Sequence, residues 1–191
     1  MLKLIEPKDH YNYRSRINLF LGLLEFYQNT TLHLEEQSQC SFILDEEEDG
    51  HISGGAILYK KSISDLDKNI EKLVTAFPLN TDYVWASTLV FCHPSQVMQV
   101  YFQEFYENLL EAFREFAYQE DINFLCLTLN PLEYLRTKNK GCWSYIMEVK
   151  PQESIDGLFH GILPLSEHNY KVQFSPQDDA RHNYRGFQIA A

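Results

Sequence analysis

Apolar positions along the chain fall into runs whose spacing alternates between helical and extended. Ile17, Phe20, Leu21, Leu24 and Tyr27 recur at three- and four-residue steps, the stripe of an amphipathic helix that Asp9 can cap and that ends at Asn29-Thr30-Thr31. Ser41–Leu44 and Ile52–Lys60 read as two strands around the acidic turn Asp45-Glu46-Glu47-Glu48-Asp49-Gly50, hence a hairpin. Ser62–Pro78 is polar and loosely helical, with Ile63, Leu66, Ile70, Leu73 and Val74 on one face. Asp82–Cys92 is a nearly continuous apolar run, the pattern of a strand covered on both faces. Pro94 and Ser95 open the strongest helix, in which Phe102, Phe105, Leu109, Phe113 and Phe116 form a full apolar stripe. Phe124–Leu129 reads as a second buried strand, Pro131–Gly141 as a short helix, and Trp143–Val149 and Leu158–Leu165 as two more strands.

The order is helix, hairpin, intervening segment, strand, long helix, strand, short helix, strand, strand. It predicts an α/β (α+β) fold: a mixed, mostly antiparallel sheet with one central parallel strand pair and helices on both faces. That pair is Asp82–Cys92 beside Phe124–Leu129, joined by a right-handed crossover. The expected organisation is a single domain over residues 1–174 with a polar C-terminal tail at 175–191.

Charge narrows the function classes. The 191 residues carry a formal net charge of −11, which argues against nucleic acid as the main partner and against docking on an anionic membrane. The most apolar early stretch, Ile17–Phe26, is about half the length of a membrane span, so no transmembrane segment is expected. Cys40, Cys92, Cys126 and Cys142 form no CxxC pair, and three of them sit in or beside apolar runs. This usage suits a reducing, cytoplasmic setting. The histidines include no HExxH pair and the acidic turn lacks the alternating ligands of a calcium loop, so no metal site is expected.

Two stretches carry a family resemblance. Phe42-Ile43-Leu44-Asp45 through Asp49-Gly50-His51-Ile52-Ser53-Gly54-Gly55-Ala56 resembles the central hairpin of the GNAT acyltransferase superfamily, and Asn130-Pro131 to Gly141 resembles its later Asn-to-Gly motif across a short helix. Within that superfamily the chain looks most like the autoinducer synthases, which make acyl-homoserine lactones from acyl carrier protein thioesters. The segments concerned are Trp85–Phe91, Gly141–Tyr145 and Lys150-Pro151 to Leu165. The resemblance covers roughly residues 10 to 165 and implies the GNAT fold and an N-acyltransferase. Its co-substrate would be an acyl thioester on acyl carrier protein or coenzyme A, its acceptor a small amine, and no cofactor would be tightly bound.

The chain departs from the family at functional positions. The glutamate and arginine that follow the tryptophan in the synthases are Ala86 and Leu89 here, and an alanine cannot deprotonate an amine. The glycine-rich phosphate loop is replaced by Cys92-His93-Pro94-Ser95-Gln96-Val97-Met98, so coenzyme A itself is expected to bind poorly. The tyrosine that acts as general acid in the family falls near Thr137, with Tyr134 one turn earlier.

Candidate residues follow from the order of elements. Cys92 and His93, at the exit of the first central strand, pair a nucleophile with a base. Strand neighbours point to opposite faces, however, and a buried thiol beside a loop histidine is the plainer alternative. Phe91, Cys92, Thr128 and Trp85 are candidates for lining the substrate. Asn130 is a candidate for the pantetheine arm or the amine, or simply a turn asparagine before proline. Tyr134 is a candidate acid for the leaving thiolate, or an amphipathic surface aromatic. Arg14 on the first helix is a candidate grip for an acceptor carboxylate, or faces solvent. Arg136, Lys138 and Lys140 are candidates for docking an acidic carrier protein, or form a solvated helix end favoured by the dipole. A backbone N–H near Phe91–Cys92 is the expected donor to the thioester oxygen. Two readings stay open: an acyltransferase, and a non-catalytic GNAT-fold protein whose cleft or surface binds a protein or lipid partner. Splayed strands with a deep groove favour the first, a filled groove the second.

Overall fold

The computed structural model describes residues 2–28, 39–48, 50–75, 82–91, 99–139, 143–165, 172–175 and 186–189. Seven strands form one sheet: β1 Leu2–Ile5, β2 Ser41–Glu46, β3 Ile52–Ser62, β4 Tyr83–Phe91, β5 Phe124–Leu129, β6 Met147–Val149 and β7 Phe159–Pro164, in the order β1-β2-β3-β4-β5-β7-β6. Neighbours are antiparallel except β4 and β5, the parallel pair expected from the two buried apolar runs. The helices are α1 His10–Gln28, α2 Lys68–Val74, α3 Gln99–Glu120 and α4 Pro131–Asn139.

Three features differ from the sequence expectation. The first residues form β1, which pairs with the far side of the hairpin, Ile5 opposite Phe42; four residues of strand carry too little periodicity to be read alone. The expected strand Trp143–Val149 shortens to Met147–Val149, because Trp143 turns inward and donates from Nε1 to the Tyr106 carbonyl at 3.0 Å. In the segment read as a polar tail, β9 Gly186–Ile189 pairs with β8 Val172–Ser175 in a separate two-stranded sheet.

Alternation along the strands assigns a helix layer to each face. Leu89 and Phe91 of β4, Leu125, Leu127 and Leu129 of β5 and Phe159 of β7 pack under α3 and α4. Residues of the opposite parity meet α1 (Phe42, Ile57, Val90) and α2 (Ala86, Cys126, Ile162). The glycine pair of the hairpin is required by close approach. A Cβ on Gly55 would sit 2.4 Å from the Ile43 carbonyl oxygen, and one on Gly54 would sit 2.7 Å from that of Val90. Burial pushes the Cys126 thiol up to about 12, in keeping with a thiol used as a small hydrophobe.

The ladders on either side of the central pair are longer than the one between them. β3 stays in register with β4 from Tyr83 to Phe91, and β7 with β5 from Phe124 to Leu129. Between β4 and β5 the register runs only through Ala86 opposite Cys126 and Ser87 opposite Leu127. Beyond Ser87 and Leu127 the Phe91 N–H and carbonyl are reached by side chains of α4, so the two strands part towards Phe91 and Leu129.

Candidate active site

Divergence leaves backbone groups that need partners, and α4 supplies them. Asn130 Oδ1 accepts from the Glu133 N–H at 2.8 Å, the bond of an N-cap, and this starts the helix beside the end of β4. Glu133, 1% exposed, turns its carboxylate into the gap. Its Oε1 accepts from the Phe91 N–H at 3.3 Å and from Arg136 Nη1 at 3.0 Å, and its Oε2 accepts from the Tyr106 hydroxyl. Arg136 Nη1 also donates to the Phe91 carbonyl at 3.3 Å, so both backbone groups of Phe91 are held by α4. Burial pushes the Glu133 carboxyl above the ordinary carboxylate range, against the pull of the Tyr106, Arg136 and Phe91 donors. Burial, with the Glu133 charge, raises the Tyr106 phenol as well.

On the other face of the same sheet end stands a second polar group. Thr128 and His160 are opposite one another in the β5–β7 register. Thr128 Oγ1 lies 3.3 Å from His160 Nδ1, and His160 Nε2 lies 3.0 Å from both carboxylate oxygens of Asp156. Asp156 also accepts from the Leu158 N–H and the Ser154 hydroxyl, each at 2.9 Å. Partial burial works to raise the Asp156 carboxyl, but the Leu158, His160 and Ser154 donors outweigh it and hold it below its usual range.

The residues singled out from sequence are divided by this geometry. Phe91, Asn130 and Arg136 meet on the α4 side, and Thr128 lies across the sheet. The Phe91 N–H, expected to serve a thioester oxygen, is engaged by Glu133. Asn130 caps α4, and its Nδ2 reaches the Tyr27 carbonyl of α1 at 3.4 Å. Tyr134 is not a surface aromatic: it is buried, stacked 4.3 Å from Phe159, and its hydroxyl meets Glu148 Oε2 at 3.2 Å and Lys138 Nζ at 3.1 Å. Arg136 turns inward instead of facing solvent, and Lys138 pairs with Glu148. Arg14 is exposed on α1. Trp85 lies six residues before Phe91, about 20 Å along the strand. It lines a separate 340 Å³ cavity with Tyr83, Phe124, Lys60 and Asp121. Cys92, His93 and Lys140 lie outside the described residues. Among the described residues, no group of three His, Cys, Asp or Glu side chains is placed to hold a metal ion.

Sequence reasoning passed over Glu133, Tyr106, Tyr145, Asp156 and His160. One signal was available: Asp156 and His160 are four apart around Gly157, just ahead of an apolar strand. At Thr137, where the family resemblance calls for a phenol, Oγ1 meets the Tyr145 hydroxyl at 2.7 Å, so a tyrosine reaches that place from the segment after α4.

No protein-family model and no curated protein matches the chain. Solved structures do. The chain superposes on "a CoA-dependent acyl-homoserine lactone synthase, BjaI" with a TM-score of 0.56 at 10% identity, covering 87% of this chain and 84% of that one. It superposes on "FeeM, an N-acyl amino acid synthase from uncultured soil microbes" with a TM-score of 0.52 at 12% identity, covering 87% and 91%. For the CoA-dependent acyl-homoserine lactone synthase MesI the values are 0.51 and 14%, over 86% and 88%. The fold is GNAT-like. It resembles that of the autoinducer synthases, as the Trp85–Phe91, Gly141–Tyr145 and Lys150–Leu165 segments imply. No described helix is long and apolar enough to cross a membrane.

Proposed function

We propose that the chain is an N-acyltransferase that moves an acyl group from an acyl thioester to a small amine. The observation that carries this reading is the divergence of β4 and β5 after Ser87 and Leu127, which opens a wedge between two parallel strands at their C-terminal ends. A flat, extended pantetheine arm fits such a wedge, and catalysis there is mainly positioning together with donors aimed at the thioester oxygen. Structures of like fold are described as CoA-dependent acyl-homoserine lactone synthases and an N-acyl amino acid synthase, which supports the same reaction class. In this reading the donor is a cytoplasmic thioester of coenzyme A or an acyl carrier protein, the autoinducer-synthase-like acceptor is a small amine, and no cofactor stays bound. Phe91, Thr128 and Asn130 border the wedge. Tyr134, or Tyr145 at Thr137, protonates the departing thiolate. Arg136 serves Glu133 and Phe91, so carrier-protein docking falls to Lys138 and Lys140.

One observation favours a second reading, a non-catalytic GNAT-fold binding protein: the Glu133 carboxylate holds the Phe91 N–H from within the wedge. Native mass spectrometry of freshly purified protein separates the two, followed by incubation with octanoyl-pantetheine and a panel of primary amines. Amide product and free thiol support transfer. A bound lipid or protein partner with no thioester turnover supports the binding module.

A further inference from the structure

The donors and acceptors around His160 order the hydrogens. A carboxylate only accepts, so Nε2, 3.0 Å from both Asp156 oxygens, carries the ring hydrogen. Nδ1 is left with its lone pair towards Thr128 Oγ1, 3.3 Å away. The turn that presents Asp156 is already closed by the Leu158 N–H and the Ser154 hydroxyl, so His160 is not needed to form it. Thr128 directly follows Leu127, the last β5 residue in register with β4, and shares the sheet face of Ala86 and Cys126. The path runs from a half-buried hydroxyl at the wedge, through a histidine 9% exposed, to a carboxylate half exposed to water.

We propose that Thr128, His160 and Asp156 form a proton relay that accepts the proton shed by the acceptor amine during acyl transfer, a role that rests on the N-acyltransferase reading. A protonated acceptor first gives one proton to Thr128 Oγ1 while the hydroxyl proton passes to His160 Nδ1. The freed amine nitrogen then attacks the thioester carbon, a C–N bond forms, the C–S bond breaks, and the second amine proton leaves with the departing thiolate as the thiol. Asp156 stabilises the imidazolium, which returns its proton to solvent at the exposed end. Position 86, where a carboxylate would otherwise take this proton, is an alanine, and the relay approaches the wedge from the same sheet face.

The test compares amines that do and do not need a base. With octanoyl-pantetheine as donor at neutral pH, butylamine is protonated and methoxyamine is neutral. His160→Gln should lower kcat for butylamine about 100-fold, leave KM for the thioester unchanged, and keep the methoxyamine rate within about threefold of wild type. Asp156→Asn, which keeps the imidazole, should cost about tenfold with butylamine alone. Equal losses with both amines mark a structural role and overturn the relay, as does a fully active His160→Gln. If the wild-type protein releases no thiol with either amine or with the wider amine panel, the acyl-transfer reading itself falls and the relay with it. That result is seen before any variant is made.

Discussion

The two polar groups at the diverging end of β4 and β5 use similar chemistry to opposite ends. On the α3–α4 face, buried Glu133 and Tyr106 and half-buried Arg136 bond to one another and to the Phe91 backbone. On the other face, Thr128, His160 and Asp156 run in a line from the sheet to solvent. A closed set of buried partners leaves little freedom to exchange protons or admit a ligand, because removing any member strands a buried charge or donor. A line that ends in water can take up a proton and hand it on. The first group is therefore a lock on α4, and the second is the one suited to chemistry.

The comparison breaks most severely at Glu133. Glu133→Ala leaves Arg136, 14% exposed, without its carboxylate, and should cost about 3–5 kcal/mol in urea unfolding. A cost below about 1 kcal/mol would mean that the group is not a lock. Next is Tyr106→Phe, which removes one donor to a buried carboxylate while keeping the ring against Trp143. About 2 kcal/mol is expected, and a double-mutant cycle with Glu133→Gln should show coupling between the two positions. Asn130→Ala should cost about 1 kcal/mol as a lost helix cap and should lower turnover by loosening α4. Wild-type melting and full activity together would separate Asn130 from both roles.

Smallest, and most discriminating, is the pH dependence. Glu133 has its carboxyl raised in the folded state, so the native protein binds that proton more tightly than the unfolded chain does. Its contribution is greatest at acid pH and declines as pH rises above the ordinary carboxylate value of 4.5. Asp156 is lowered, so its contribution is present above the ordinary value of 3.8 and is lost as pH falls through it. Urea midpoints from pH 3 to pH 7 should therefore change with opposite sign in Glu133→Gln and Asp156→Asn when each is compared with wild type. Parallel changes would put the two groups in one network.

Much of the fold was legible because its signals are local. The continuous apolar runs of Asp82–Cys92 and Phe124–Leu129, with the long stripe between them, determined a parallel pair and the helix that crosses over it. The small residues Gly54 and Gly55 marked a hairpin that packs too closely for a Cβ. Phe91, Thr128 and Asn130 could be placed at the ends of the central strands because strand limits are written in the apolar runs. β1 was not legible, since four residues become a strand only when β2 is present to pair with them. The polar groups were hidden for the same reason: Glu133 and Tyr106 are 27 residues apart, and Thr128 and His160 are 32 apart. Nothing in either neighbourhood marks a glutamate on a short helix as buried or a threonine on one strand as facing a histidine on another; only the four-residue spacing of Asp156 and His160 is local. Hydrophobic period is a property of a segment, and the sequence alone settled it. Partnership between polar side chains is a property of the packed sheet, and only the register of β5 with β7 and the seating of α4 against β4 decided it.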